Sequence, residues 1–415
     1  MDGKNEQQAE AVDLLEDLDF FLRNQQPQTV DKKASAELCS NCSTSNSPLL
    51  SACTSGHLTC VEAALLDTPT VSSCRTPQGA TAAHIAAKRG DCASLVKLVE
   101  ADPTCVSSQD TRGTTPTHVS AYNGKYDCLR ALIERGGSSD EKAQDGATPI
   151  HLASANGHLD CIEYLVTKAG GQVNSRTNSG ATPVYFAAQE GHLDCLQWLV
   201  SVAKADPTIP SADGMTPLHA ACQTGHLNCT HWLVRSADCS LRCKTEDGAT
   251  PVHFAAAKGH VAILQWMLHH KLANGSEKDE FGATPVHDAA EQNQVESLRV
   301  FQMHSTDMHL LDDDGCTPKD LADQRGNVTC SDILRAIPKG LRRKQSTRRV
   351  EQAIPEMITS LQELPQLRLT NDLHDNKRGT LWGKLFNKKL KKGSPPGSSR
   401  RGITSFFTSY RGKNS

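Results

Sequence analysis

The 415-residue chain reads as all-α, a solenoid of about nine helix-turn-helix repeats with β-turn fingers between polar, disordered and partly helical termini. Three observations predict this. A Thr-Pro pair or a near variant returns at Ser47-Pro48, Thr81-Ala82, Thr115-Pro116, Thr148-Pro149, Thr182-Pro183, Thr216-Pro217, Thr250-Pro251, Thr284-Pro285 and Thr317-Pro318, always 33 or 34 residues on. The pair opens a helical run of small residues that a glycine closes, as from Thr250 through Ala255, Ala256 and Ala257 to Gly259. A second apolar run follows, and an Asp-Gly turn separates one copy from the next. One such unit cannot bury its own apolar face, whereas stacked copies can.

The copy DGATPVHFAAAKGHVAILQWMLHH (247–270) justifies each element. Thr250 is suited to cap a helix N-terminus and Pro251 fits the first turn. The small alanines let helices approach closely. Gly259 adopts the left-handed conformation that ends the first helix. His260-Val261 opens the second helix, with Ile263, Leu264, Trp266 and Met267 on or near its buried side. Glu246-Asp247-Gly248 reads as a β-turn that projects as a finger.

With GATPIHLASANGHLDCIEYLV (146–166) beside it, this text resembles the ankyrin repeat, over residues 47 to about 337. In that family the His of Thr-Pro-x-His bonds back to the Thr turn. Some copies depart from the pattern: Ala82 replaces Pro, Tyr185 replaces His, the first copy (SPLLSACTSGHLTC) lacks the His, and the last (CTPKDLADQRGN) carries Lys319 in its place. The first and last copies are expected to act as polar caps.

The repeat accounts for most residues that suggest chemistry. Cys60, Cys92, Cys128, Cys161, Cys195 and Cys229 are assigned to one buried second-helix position. His84, His118, His151, His219, His253 and His287 occupy the Thr-Pro-x-His position, and His57, His158, His192, His226 and His260 the Gly-His position. Tyr164, Trp198, Trp232 and Trp266 step by 34 residues and read as inter-repeat core, with a partly exposed binding ridge as the alternative. Cys39-x-x-Cys42 has metal or redox spacing, but no second CxxC accompanies it, and Cys239 and Cys243 are equally isolated; no metal site is expected. No GxSxG elbow, Walker loop, GxGxxG in a strand–helix context or HExxH is present, so neither an enzyme nor a cofactor is expected.

Composition bounds the setting. The acidic start MDGKNEQQAE argues against a secretory signal, and no apolar run approaches the ~20 residues of a membrane span. The chain is expected to be cytoplasmic, with its sixteen cysteines as free thiols. The net charge of −3 conceals segregation: about −5 over residues 1–46, −11 over 47–337 and +13 over 338–415. These ranges are the expected domains: an acidic leader with a short amphipathic helix (8–24) and a Ser-rich linker, the repeat domain, and a basic tail.

Binding is expected at the variable positions, on finger tips and first-helix ends: Tyr122, Asn123, Asn156, Gln189, Glu190, Gln223, Glu246, Lys278, Phe281 and Glu291. The negative charge of this domain favours a basic or amphipathic peptide and repels duplex nucleic acid. In the tail, Arg342, Arg343 and Lys344 precede Ser346 at a spacing that basophilic kinases accept, and a phosphate there would cancel local positive charge.

The segment KRGTLWGKLFNKKLKKGSPPGSS (377–399) places Leu381, Trp382, Leu385 and Phe386 on one apolar helical face, followed by Leu390-Lys391-Lys392. It resembles the WASP-homology actin-monomer-binding motif, with Arg378 before the apolar pair and 377–393 as the binding segment. In that motif the helix fills an apolar cleft on actin and the LKK lysines meet its acidic surface. Trp382 is bulky for it, the gap to LKK is short, and Gly393 follows the second lysine. The same residues suit a membrane surface or calmodulin, and Lys377-Arg378 with KKLKK suits nuclear import.

GHLDCLQWLV (191–200) and DGMTPLHAACQTGHLNCTHWLV (213–234) are similar to espin and its invertebrate relative forked. That resemblance implies an actin-bundle-associated adaptor, expected to be a monomer, whose repeats bind a partner such as a class III myosin tail. The alternative is a signalling or transcription-regulatory scaffold whose tail serves nuclear import or binds membrane or calmodulin. The acidic repeats or leader are also expected to hold the basic tail in cis.

Overall fold

The computed structural model describes residues 39, 42, 47–67 and 71–336. Among them eighteen α-helices run as nine pairs. The pairs are α1 (Pro48–Ser55) and α2 (Leu58–Asp67), α3 (Ala82–Arg89) and α4 (Cys92–Ala101), α5 (Pro116–Tyr122) and α6 (Tyr126–Glu134), α7 (Pro149–Ala155) and α8 (Leu159–Thr167), α9 (Pro183–Gln189) and α10 (Leu193–Ser201), α11 (Pro217–Thr224) and α12 (Leu227–Arg235), α13 (Pro251–Lys258) and α14 (Val261–His269), α15 (Pro285–Glu291) and α16 (Val295–Met303), and α17 (Pro318–Arg325) and α18 (Val328–Ala336). No helix among the described residues is long and apolar enough to cross a membrane.

The first helices begin and end as their sequences require. Thr250 sits in extended backbone with Pro251 in the first turn, and Gly259 closes α13 in the left-handed conformation at φ 75°. The Thr250 N–H donates to His253 Nδ1 at 3.1 Å. The remaining ring nitrogen, Nε2, therefore carries the proton and donates to the Ala283 carbonyl of the next repeat at 3.3 Å. The same bridge joins His118 to Ala147 and His219 to Ala249. Each histidine thus caps its own helix and ties it to the following finger.

A second histidine row ties each repeat backwards. Nε2 of His158, His192 and His260 donates to the carbonyls of Tyr122, Ala155 and Gln223, at 2.9, 3.0 and 2.8 Å. Each ring lies against the glycine that follows the previous first helix. A Cβ on Gly124, Gly157 or Gly225 would come within 2.5 Å of it.

The fingers form a third connection. Within one, Gly248 N–H closes the turn onto the Thr245 carbonyl at 3.0 Å. Between fingers, backbone N–H groups of Thr111, Gln144, Asn178, Ala212, Glu246, Glu280 and Asp313 donate to the preceding finger at Gln78, Arg112, Asp145, Ser179, Asp213, Asp247 and Phe281.

Small side chains on the first helices let them pack more closely on one another than the second helices do. The core lies between the two rows in separate clusters. One cluster extends from Ala121 to Leu334 and another, from Cys42 to Leu132, fills the N-terminal repeats.

Two expectations need correction. In the last repeat the residue at the histidine position is Asp320, not Lys319, and it performs the same service: its carboxylate accepts from the Thr317 N–H at 2.8 Å. Cys92 does not belong to the buried cysteine position. It opens α4, whose third residue, the equivalent of Cys128 in α6, is the buried Ser94. Cys330, third in α18 and fully buried, does belong. The substituted Tyr185 is buried with Met215, Ala220 and Phe254, and its hydroxyl donates to Met215 Sδ at 3.9 Å where other repeats have the histidine bridge.

Candidate protein-binding face

The expected binding residues divide by what already engages them. Asn123 and Asn156 turn their amides onto their own helix ends, donating to the Val119 and Leu152 carbonyls at 2.8 and 3.0 Å. Glu291 is ion-paired with Arg325 of the next repeat, and the Gln223 carbonyl accepts from His260. Tyr122 and Gln189 are half-buried, with Gln189 donating to exposed Glu190 at 3.1 Å. Lys278 extends its ammonium to the Leu311 carbonyl at 2.8 Å. Glu246 and Phe281 are exposed on finger tips, Phe281 by 42%.

The C-terminal fingers concentrate negative charge. Burial raises the Asp247 carboxyl above its usual range, and the neighbouring Glu280, Glu246 and Asp213 raise it further. Asp279 is pushed up to about 6, chiefly by burial, with Asp247 and Asp313 adding repulsion against the stabilising N–H groups of Ala283 and Phe281. Crowded carboxylates of this kind attract cations.

The aromatic column is half-buried. Tyr164, Trp198, Trp232 and Trp266 pack against the core with one edge toward solvent. Trp266 lies 5.1 Å from the His231 ring, and Tyr164 meets Tyr126 edge-on at 5.6 Å. The column is packing with an exposed rim.

Elsewhere the structure joins residues that the sequence kept apart. Cys39 and Cys42 lie beside His57 and Cys60 of the first repeat, with all four ligand atoms within 4.8 Å of one another. Hydrogen bonding with Cys42 draws the Cys39 thiol down to about 6, and burial pushes Cys42 up to about 12. The missed signal was His57-x-x-Cys60, the complement of Cys39-x-x-Cys42, concealed because both residues are ordinary repeat text. Ser346 and the tail residues Arg378, Leu381, Trp382, Leu385, Phe386, Leu390, Lys391 and Lys392 lie outside the described residues.

The family model for ankyrin repeats (3 copies) matches residues 52–143, 84–177, 118–211, 184–275 and 235–312, which together span more than half of the chain. The chain belongs to the ankyrin-repeat family. The crystal structure of the human ASB11 ankyrin repeat domain is similar at 23% identity and TM-score 0.46, covering 54% of this chain and 99% of that one. No curated protein matches, so the narrower likeness to espin and forked rests on the segments quoted for it. Ankyrin repeats are a protein-interaction architecture, and this chain is a scaffold of that kind. Its fixed residues are engaged in holding repeat to repeat, and Glu246 and Phe281 are exposed on the finger tips.

Proposed function

We propose that this ankyrin-repeat protein is a non-enzymatic cytoskeletal adaptor of the cytoplasm, associated with actin bundles. In this reading the repeats hold a basic, amphipathic peptide of the class III myosin tail kind, and the basic tail binds actin. The observation that carries the first half is the run of carboxylates around Asp213, Glu246, Asp247 and Glu280, whose mutual repulsion a Lys- or Arg-bearing peptide relieves. Phe281, exposed among them, offers an apolar anchor. The second half rests on the apolar face Leu381, Trp382, Leu385 and Phe386 followed by Leu390-Lys391-Lys392.

Fluorescence anisotropy with a labelled class III myosin tail peptide tests the first half. Saturable binding that weakens at least tenfold in Glu246→Lys/Glu280→Lys and falls with rising salt supports it. Binding that charge reversal leaves unchanged refutes the assignment to these fingers.

A further inference from the structure

We infer that Cys39, Cys42, His57 and Cys60 form a structural zinc site that fastens the segment before the first repeat onto that repeat. Zinc held by three thiolates and one imidazole is tetrahedral, with bonds of about 2.3 Å to sulfur and about 2.0 Å to nitrogen. These lengths set the tetrahedron's edges at roughly 3.5 Å between sulfur and nitrogen and roughly 3.8 Å between sulfurs. His57 Nδ1 lies 3.3 Å from Cys39 Sγ and 3.7 Å from Cys42 Sγ, and no pair among the four ligand atoms exceeds 4.8 Å. His57 thus stands at coordination spacing from Cys39 and Cys42, and the remaining pairs need close by no more than about 1 Å.

The surroundings fit a metal-binding turn. The Cys42 N–H donates to the Cys39 carbonyl at 3.0 Å, which closes the loop of Cys-x-x-Cys. The Cys39 N–H points at Cys60 Sγ at 3.4 Å, and a backbone donor of this kind stabilises a metal-bound thiolate. Soft thiolates with one imidazole select zinc over the oxygen-seeking divalent ions. Four protein donors leave no position for water or substrate, so the site is structural.

Position in the repeat series explains why these residues are available. In later repeats the Gly-His imidazole donates backwards to the preceding first helix, as His158 does to Tyr122. The series begins at Ser47-Pro48, and among the described residues no earlier repeat offers a first helix to His57, which turns toward Cys39 and Cys42. The first repeat also lacks the histidine cap: Leu50 stands at that position, and Ser47 makes no side-chain cap to α1. Fully buried Cys42 packs into the same cluster as Leu49, Ala52 and Val61. Zinc would supply the terminal fastening that the Thr-His pair supplies elsewhere.

The test is metal analysis of the purified full-length chain by inductively coupled plasma mass spectrometry after exhaustive dialysis, followed by cobalt substitution. One zinc per chain is expected, with a sulfur-to-cobalt charge-transfer band and the ligand-field absorption of a tetrahedral thiolate site in the cobalt form. Cys39→Ser/Cys42→Ser should lose both while keeping its helical circular dichroism, because neither residue belongs to a repeat helix. A chelator should lower the thermal midpoint of the wild type and leave the double variant unmoved. The inference is overturned by a chain that retains no zinc and gives no charge-transfer band, by zinc content that the double variant does not reduce, or by a Cys39–Cys42 disulfide found in the purified chain by mass spectrometry.

Discussion

His253 links its own helix to the next repeat, accepting from the Thr250 N–H and donating to the Ala283 carbonyl 30 residues on. The ring is fully buried, so removing it strands the Thr250 N–H away from water and opens a cavity, while the Ala283 carbonyl keeps the Asp279 N–H. His253→Ala is expected to lower unfolding stability by about 2–4 kcal/mol, read from urea denaturation. Asp320→Ala should lose less, about 1 kcal/mol, because its bonds to Thr317 are exposed.

The same burial makes stability pH-dependent. Burial lowers His151 and His219 to about 4 and His253 to about 3, from an ordinary value of 6.5. The unfolded chain therefore binds more protons than the folded one below pH 6.5. The stability these groups contribute is fully present above that pH and is lost as pH falls from 6.5 toward 4. Each contributes a loss of about 2 kcal/mol between pH 7 and pH 5. Asp279, raised to about 6, acts in the opposite direction over the same interval and offsets part of one histidine. A net fall in the urea midpoint from pH 7 to pH 5 is expected, with a shallower slope in His253→Gln.

Gly214 and Gly315 separate two reasons for a finger glycine. Both have positive φ, at 80° and 73°. A Cβ on Gly214 would lie 2.6 Å from the Glu246 nitrogen, whereas one on Gly315 meets nothing within 4 Å. Gly315→Ala is expected to cost about 1 kcal/mol, the left-handed backbone penalty alone. Gly214→Ala should cost at least twice that, because the next finger must move as well. Equal losses in thermal or urea unfolding would contradict the finger ladder.

The cysteine column should be silent to thiol reagents until the fold opens. Burial pushes Cys128, Cys161 and Cys195 up to about 12. Iodoacetamide labelling followed by mass spectrometry is expected to spare them in native protein and to reach half-exposed Cys92 sooner. Cys195→Ala should cost about 1 kcal/mol and Cys92→Ala no more than about 0.5 kcal/mol.

The repeat was legible because its punctuation is local. Thr250-Pro251, Gly259 and Asp247-Gly248 each act on the chain within one turn, so helices and fingers follow from neighbouring residues. The buried column was legible where cysteine recurs and misread at Cys92, which lies two residues after Gly90 whereas Cys128 and Cys161 lie four after Gly124 and Gly157; counting from Gly90 gives Ser94 as the inward residue. The binding face was less legible. Asn123 and Asn156 look like free amides in sequence, yet each finds a carbonyl on its own helix. Glu291 is paired by Arg325, 34 residues away. Cys39, Cys42, His57 and Cys60 were the hardest to join. Their spacing across the linker carries no periodic signal, and two of them stand at repeat positions that elsewhere bond backwards, as His158 does, or are buried, as Cys161 is.

Co-sedimentation with filamentous actin, beside a monomer-binding titration, tests the adaptor reading most directly. It should be run on the full chain and on the 338–415 segment, each with and without Trp382→Asp/Leu385→Asp. The account predicts binding that the double variant abolishes, stronger for the isolated segment if the acidic repeats hold the tail in cis. Binding that survives the double variant would mean that a basic segment adheres to an acidic polymer through charge alone. That result, or no binding in either assay, would contradict the account.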